Sequence, residues 1–90
     1  ILYMYKPHKK GGVYMKDTRA RIKTVIAAEQ TTLKDVVNIM NERHPDDQTT
    51  PQNVTNKLAR KTIRFDEVSE IMDILDYDII FRNRSTKEEY

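Results

Sequence analysis

From Thr50 to Arg64 the chain reads Thr-Pro-Gln-Asn-Val-Thr-Asn-Lys-Leu-Ala-Arg-Lys-Thr-Ile-Arg, which contains three side-chain amides, four cations and no carboxylate. An amide offers a donor and an acceptor side by side, the pattern that pairs with the N6 and N7 edge of adenine in a major groove. In a helix turning about 100° per residue, Val54 and Leu58 point one way. The opposite arc then holds Gln52, Asn53, Asn56, Ala59 and Arg60, with Thr55 and Lys57 on its flanks. Arg60, Lys61 and Arg64 follow at the C-terminal end, suited to phosphate oxygens. Thr49 and Thr50 stand at the N-terminus, where the helix dipole also favours a phosphate. A polar, solvent-facing surface helix is the plainer use of the same residues.

Thr50-Pro51 is a start signal, because a hydroxyl cap followed by proline at the first helical position satisfies one orphan donor and removes another. The spacing predicts a third helix from Pro51 to about Arg60, with only Val54 and Leu58 committed to a core. Two helices precede it. Ile22, Val25 and Ile26 mark one from Thr18 to about Glu29. Leu33, Val36, Val37 and Met40 mark the next, begun by the capping spacing Thr32-Leu33-Lys34-Asp35 and ended near Arg43 by the conformational demand of Pro45. Phe65, Val68, Ile71, Met72 and Leu75 predict a fourth helix, and Tyr77 to Arg82 reads as a single strand with a frayed polar tail from Asn83.

Ninety residues allow one domain. With no cysteine and two histidines, disulfide scaffolds and thiolate metal sites are excluded. No cofactor, metal or enzymatic activity is expected. His44-Pro45-Asp46-Asp47 gathers a histidine and two acids without a further convergent ligand or nucleophile, and reads as a solvated loop. Apolar runs such as Ile1–Tyr5 and Ile79–Phe81 fall far short of a bilayer span, so the expectation is a soluble, cytoplasmic protein without membrane contact or a small-molecule substrate.

Residues 1–14 hold Lys6, Lys9 and Lys10 and no acid. Without those three, 13 basic residues face 14 acidic ones, a net charge of −1. They read as an N-terminal extension, either non-native or an added strand, before a domain over residues 15–82 and a polar tail over 83–90. Within the domain, Gln48 to Phe65 is free of acids, while Asp66 to Asp78 carries six acids and no base. Such a division predicts one surface for phosphates and another that DNA avoids, unless both are ordinary solvated charge.

Two helices, a connection, a capped third helix with an amide arc and a closing fourth is the order of a helix-turn-helix domain. From Arg21 to Phe81 the chain resembles the lambda-repressor-like, or Cro-like, DNA-binding domains. The resemblance rests on Ile22–Ala27, Thr32–Val37, Val68–Leu75 and above all Thr50–Arg60. It implies a mainly α fold of four to five helices with a short C-terminal β-strand. It further implies that Gln52, Asn53 and Asn56 face bases and that Thr50, Lys57 and Arg60 face bases or phosphates. One departure stands out: Asn41 to Thr49 is longer than the family's tight turn and has no glycine, so either the second helix or the turn is extended.

A lone strand needs a partner for its backbone, which is the N-terminal segment, a second copy or another protein. Dimers are common in the resembled family, and Ile79, Ile80 and Phe81 are the candidate dimer interface. The expected function is sequence-specific binding of double-stranded DNA by a homodimer, as a transcriptional regulator of phage or mobile-element type. The rival is a protein-binding adaptor or inhibitor that uses the acidic fourth helix or the strand edge.

Overall fold

A side-chain oxygen starts each of the first three helices of this chain. The computed structural model describes residues 17–90 together with the backbone of Leu2 and Tyr3. Helix α1 (Thr18–Ala28) opens on Asp17, whose carboxylate accepts from the Ala20 N–H at 3.3 Å. Helix α2 (Leu33–Arg43) opens on Thr32, whose hydroxyl accepts from Asp35 N–H, and α3 (Pro51–Arg60) opens on Thr50, which accepts from Asn53 N–H. Each satisfies a backbone donor that the first turn would leave unpaired. The Thr32 box is only half closed, because the Asp35 carboxylate takes the Thr31 hydroxyl at 3.5 Å. Helix α4 (Phe65–Ile74) has arginine at its cap, which offers no acceptor, so Glu67 alone reaches back to the Arg64 N–H.

Three helices stop without glycine. After α1, α3 and α4 the chain turns through left-handed residues Gln30, Lys61 and Asp76, with φ of 53°, 60° and 66°. At each stop the following residue's N–H bonds back five positions, as in Thr31 to Ile26, Thr62 to Lys57 and Tyr77 to Met72. This is the Schellman closure, which returns partners to the last carbonyls. Helix α2 ends differently, at His44 ahead of Pro45.

The described residues form a mainly helical unit. Its core joins Ile22 and Val25 of α1, Val36, Val37 and Met40 of α2, Val54 and Leu58 of α3, and Val68, Ile71, Met72 and Leu75 around α4. These are the positions whose spacing marked the helices. Phe65 is a correction: expected on the buried stripe, it is 46% exposed and stacks on the 47% exposed Phe81, ring centroids 5.8 Å apart. At the first position of α4 it points off the stripe that Val68, Ile71 and Met72 define.

Strand β1 (Leu2–Tyr3) pairs in parallel with β2 (Ile79–Ile80). Of the three partners open to the strand, the N-terminal segment is paired with it along one edge. The strand is shorter than Tyr77–Arg82: the Tyr77 N–H is taken by the Met72 carbonyl at the α4 stop, and its hydroxyl reaches Glu29 at 3.2 Å, joining the α4 exit to the end of α1. The tail is not frayed. Asn83 accepts through its side chain from the N–H groups of Ser85 and Thr86, and Arg82 bridges Glu89 in an antiparallel turn with an ion pair at 2.7 Å. The N-terminal sequence also allows a hairpin of Ile1–Tyr5 with Val13–Met15, which falls largely outside the described residues. No helix among the described residues is long and apolar enough to cross a membrane.

Ile71 is fully buried where α4 meets the rest of the core. Ile71→Ala is expected to cost about 2–5 kcal/mol, a large part of a small domain's stability, as read by urea unfolding.

Candidate functional site

The outward side of α3 is built by what its inward side does. Val54 is fully buried and Leu58 nearly so, and these two anchors turn Gln52, Asn53, Ala59 and Arg60 to solvent. Thr55, Asn56 and Lys57 are half-buried at the flanks. The Gln52 amide donates to Asn56 Oδ1 at 3.0 Å, one turn along. That bond holds two amides in register and leaves an acceptor on Gln52 and a donor on Asn56 for another molecule.

The approach to α3 is held by a residue that the sequence reading did not single out. Asn41, in the last turn of α2, accepts from the Thr49 N–H at 2.8 Å and donates to the Thr49 carbonyl at 2.9 Å. A double bond of this kind satisfies both backbone groups of a loop residue, and it sets Thr50 where it caps α3. Helix α2 ends at Arg43 as the spacing predicted, so the turn is the extended part, spanning residues 44–50. His44 within it is not simply solvated: its Nε2 lies 2.8 Å from Glu70 of α4. Asp46 and Asp47 are exposed. Among the described residues no group of three or more histidines and acids is placed to hold a metal ion.

The candidate cations divide into two sets. Lys57 Nζ lies 2.9 Å from Glu67 Oε2, and Arg64 Nε lies 3.3 Å from Glu67 Oε1. One carboxylate of α4 therefore occupies two of the four cations in the acid-free run. Arg60 and Lys61 are exposed and have no ion pair among the described residues. The two-faced charge distribution needs the same correction. Helix α4 also pairs Asp73 and Glu70 with Arg43, at 3.0 and 3.6 Å, so three of the six acids are paired, while Asp66, Asp76 and Asp78 are exposed and have no ion pair among the described residues.

Glu67 responds to this setting. Burial pushes its carboxyl up, but the hydrogen bond from Lys57, the Arg64 backbone N–H, the Lys57 charge and the Arg64 side chain outweigh burial. The net effect holds Glu67 below its ordinary value. With Asn41, His44, Lys57, Arg64 and Glu70 it lines an open polar cleft of about 280 Å³ between the α2–α3 connection and α4.

Of the remaining expected site residues, Thr49 and Thr50 serve the connection and the cap through backbone and hydroxyl bonds. Ile79 packs against the core and Ile80 is half-buried, which leaves Phe81 as the exposed member of the expected dimer interface. Comparison with protein-family models, curated proteins and solved structures finds no match to the chain.

A carboxyl lowered in the folded state contributes its stability fully above its unfolded pKa of about 4.3 and loses it as pH falls through the lower folded value. Glu67→Gln is therefore expected to lower stability by about 1 kcal/mol at neutral pH and to narrow the gap to the parent protein as the solution is acidified. Thermal unfolding across the acid range measures this. A gap that stays constant to the lowest pH would assign the loss to packing instead of charge.

Proposed function

We propose that this protein binds duplex DNA in a sequence-specific manner, with α3 lying in the major groove and α2 crossing the backbone as the first helix of a helix-turn-helix. The observation that carries the reading is the outward side of α3, where the exposed Gln52 and Asn53 and the half-buried Asn56 lie between a threonine cap and the cations Arg60 and Lys61, which have no ion pair among the described residues. The Gln52–Asn56 hydrogen bond supports it, since it reduces the freedom two long polar side chains would lose on meeting a base pair. Gln52, Asn53 and Asn56, with Thr55 beside them, read base edges in this proposal. Thr49, Thr50, Arg60 and Lys61 hold phosphates. Lys57 and Arg64 are shared with Glu67 and add less than their number suggests.

A second copy, meeting the first through Phe81 with Ile79, Ile80 and the stacked Phe65, would present two such helices to two half-sites. The role that follows is a transcriptional regulator of phage or mobile-element type, acting in the cytoplasm without a cofactor or catalytic step. One observation favours a different class: the exposed Phe65–Phe81 stack is also a surface for a protein partner, as in an adaptor or inhibitor.

Selection from a randomised duplex library at moderate salt is the test. Enrichment of an inverted repeat with half-sites about 34–36 Å apart is expected. Gln52→Ala or Asn56→Ala should weaken the selected sequence by about 1–3 kcal/mol, while Arg60→Ala weakens all sequences alike and lowers the salt slope by about 1. Glu67→Gln, by releasing Lys57 and Arg64, should steepen that slope. A folded protein that enriches no sequence would turn the assignment to the protein-binding class.

A further inference from the structure

On the side of α3 facing α1 lies a second concavity, unlike the polar cleft. Ile22 and Ile26 of α1, Leu33 at the start of α2 and Leu58 of α3 line a groove of about 220 Å³. Arg19 and Lys23 stand on it, four residues apart and so on one face of α1. None of the lining residues is acidic. The Nε of Arg19 is buried and has no hydrogen-bond partner among the described residues. A buried donor on a charged group without an acceptor is costly, so this guanidinium lacks the full set of acceptors its charge calls for.

We propose that this groove binds a small amphipathic carboxylate, its head on Arg19 and its apolar tail along Ile26, Leu33 and Leu58. The guanidinium fork matches a carboxylate in shape and charge, and Lys23 adds a second positive charge at the exposed edge. The apolar walls disfavour bare phosphate or sulfate, which would give up hydration with no apolar surface to bury in return. The volume lies below the roughly 300–1,000 Å³ of drug-sized pockets, which limits the tail to a short chain or one ring. The groove borders the proposed DNA surface at Thr55, and its ligand is read in the absence of DNA.

The test uses the full chain with sodium octanoate, and compares 1-octanol, which shares the tail, and sodium acetate, which shares the head. Methyl NMR shifts of Ile22, Ile26, Leu33 and Leu58 report binding. Saturable shifts with octanoate, about tenfold weaker binding of octanol and none of acetate are expected. Arg19→Gln should bring octanoate down to the level of octanol and leave octanol unchanged, and Lys23→Gln should give a smaller loss. The comparison of octanoate with octanol in the unaltered protein stands even if Arg19→Gln does not fold. The proposal is overturned by no shift with octanoate, by equal affinities for octanoate and octanol, or by shifts confined to the methyls of Ile79 and Ile80 beside Phe81. Contacts already covering those methyls from the chain itself, seen without any ligand, would overturn it as well.

Discussion

The position of α3 rests on a narrow foundation. A helix of ten residues cannot hold its shape alone in water, and this one buries only Val54 and Leu58. What two apolar side chains leave undetermined is supplied at the ends: Asn41 fixes the approach through Thr49, the Thr50 hydroxyl closes the first turn, and Glu67 holds the far half through Lys57. The outward arc can be almost wholly polar because the other contacts do the orienting. Loss of any one of these would leave the core side chains in place but cost stability on the order of 1 kcal/mol, so the contacts that orient the surface also hold the fold.

Glu67 links the fold to the surface chemistry. From the third position of α4 it receives the Arg64 backbone N–H, the Arg64 side chain and Lys57 of the neighbouring helix. A residue that caps one helix thus sets how much positive charge the next presents. The pairing also answers for the composition of the chain, in which an acid-free run is followed directly by a base-free one. Glu67 is the one acid of that second run paired with the first among the described residues, and it takes two of the first run's four cations, so linear charge exaggerates the positive field there.

The starts and apolar faces of the helices were legible because each depends on residues within a turn or two. Thr32 and Thr50-Pro51 locate α2 and α3 to the residue, and the buried positions of α1, α2 and α3 were all on the predicted stripes. Pairings across the fold were not legible. Nothing near Asn41 announces that it grips Thr49, and nothing near Lys57 announces Glu67 ten residues on. Phe65 misled for a related reason, since an aromatic at the edge of a helix fits the apolar period whether it turns inward or, as here, toward Phe81. The polar tail looked unstructured because its order comes from an asparagine turn and a cross-strand ion pair, which leave no apolar pattern.

The glycine-free stops of α1, α3 and α4 leave the fold with slack in its energetics. Each left-handed residue with a Cβ carries strain of about 1 kcal/mol that glycine would not. Gln30 and Asp76 could give up that strain without touching the α3 surface. Lys61 is different, because its strained backbone keeps a cation at the end of α3. Thermostability can thus be raised at two of these corners while the third keeps its charge, which makes the helix ends a handle for engineering that leaves the core and the α3 surface alone.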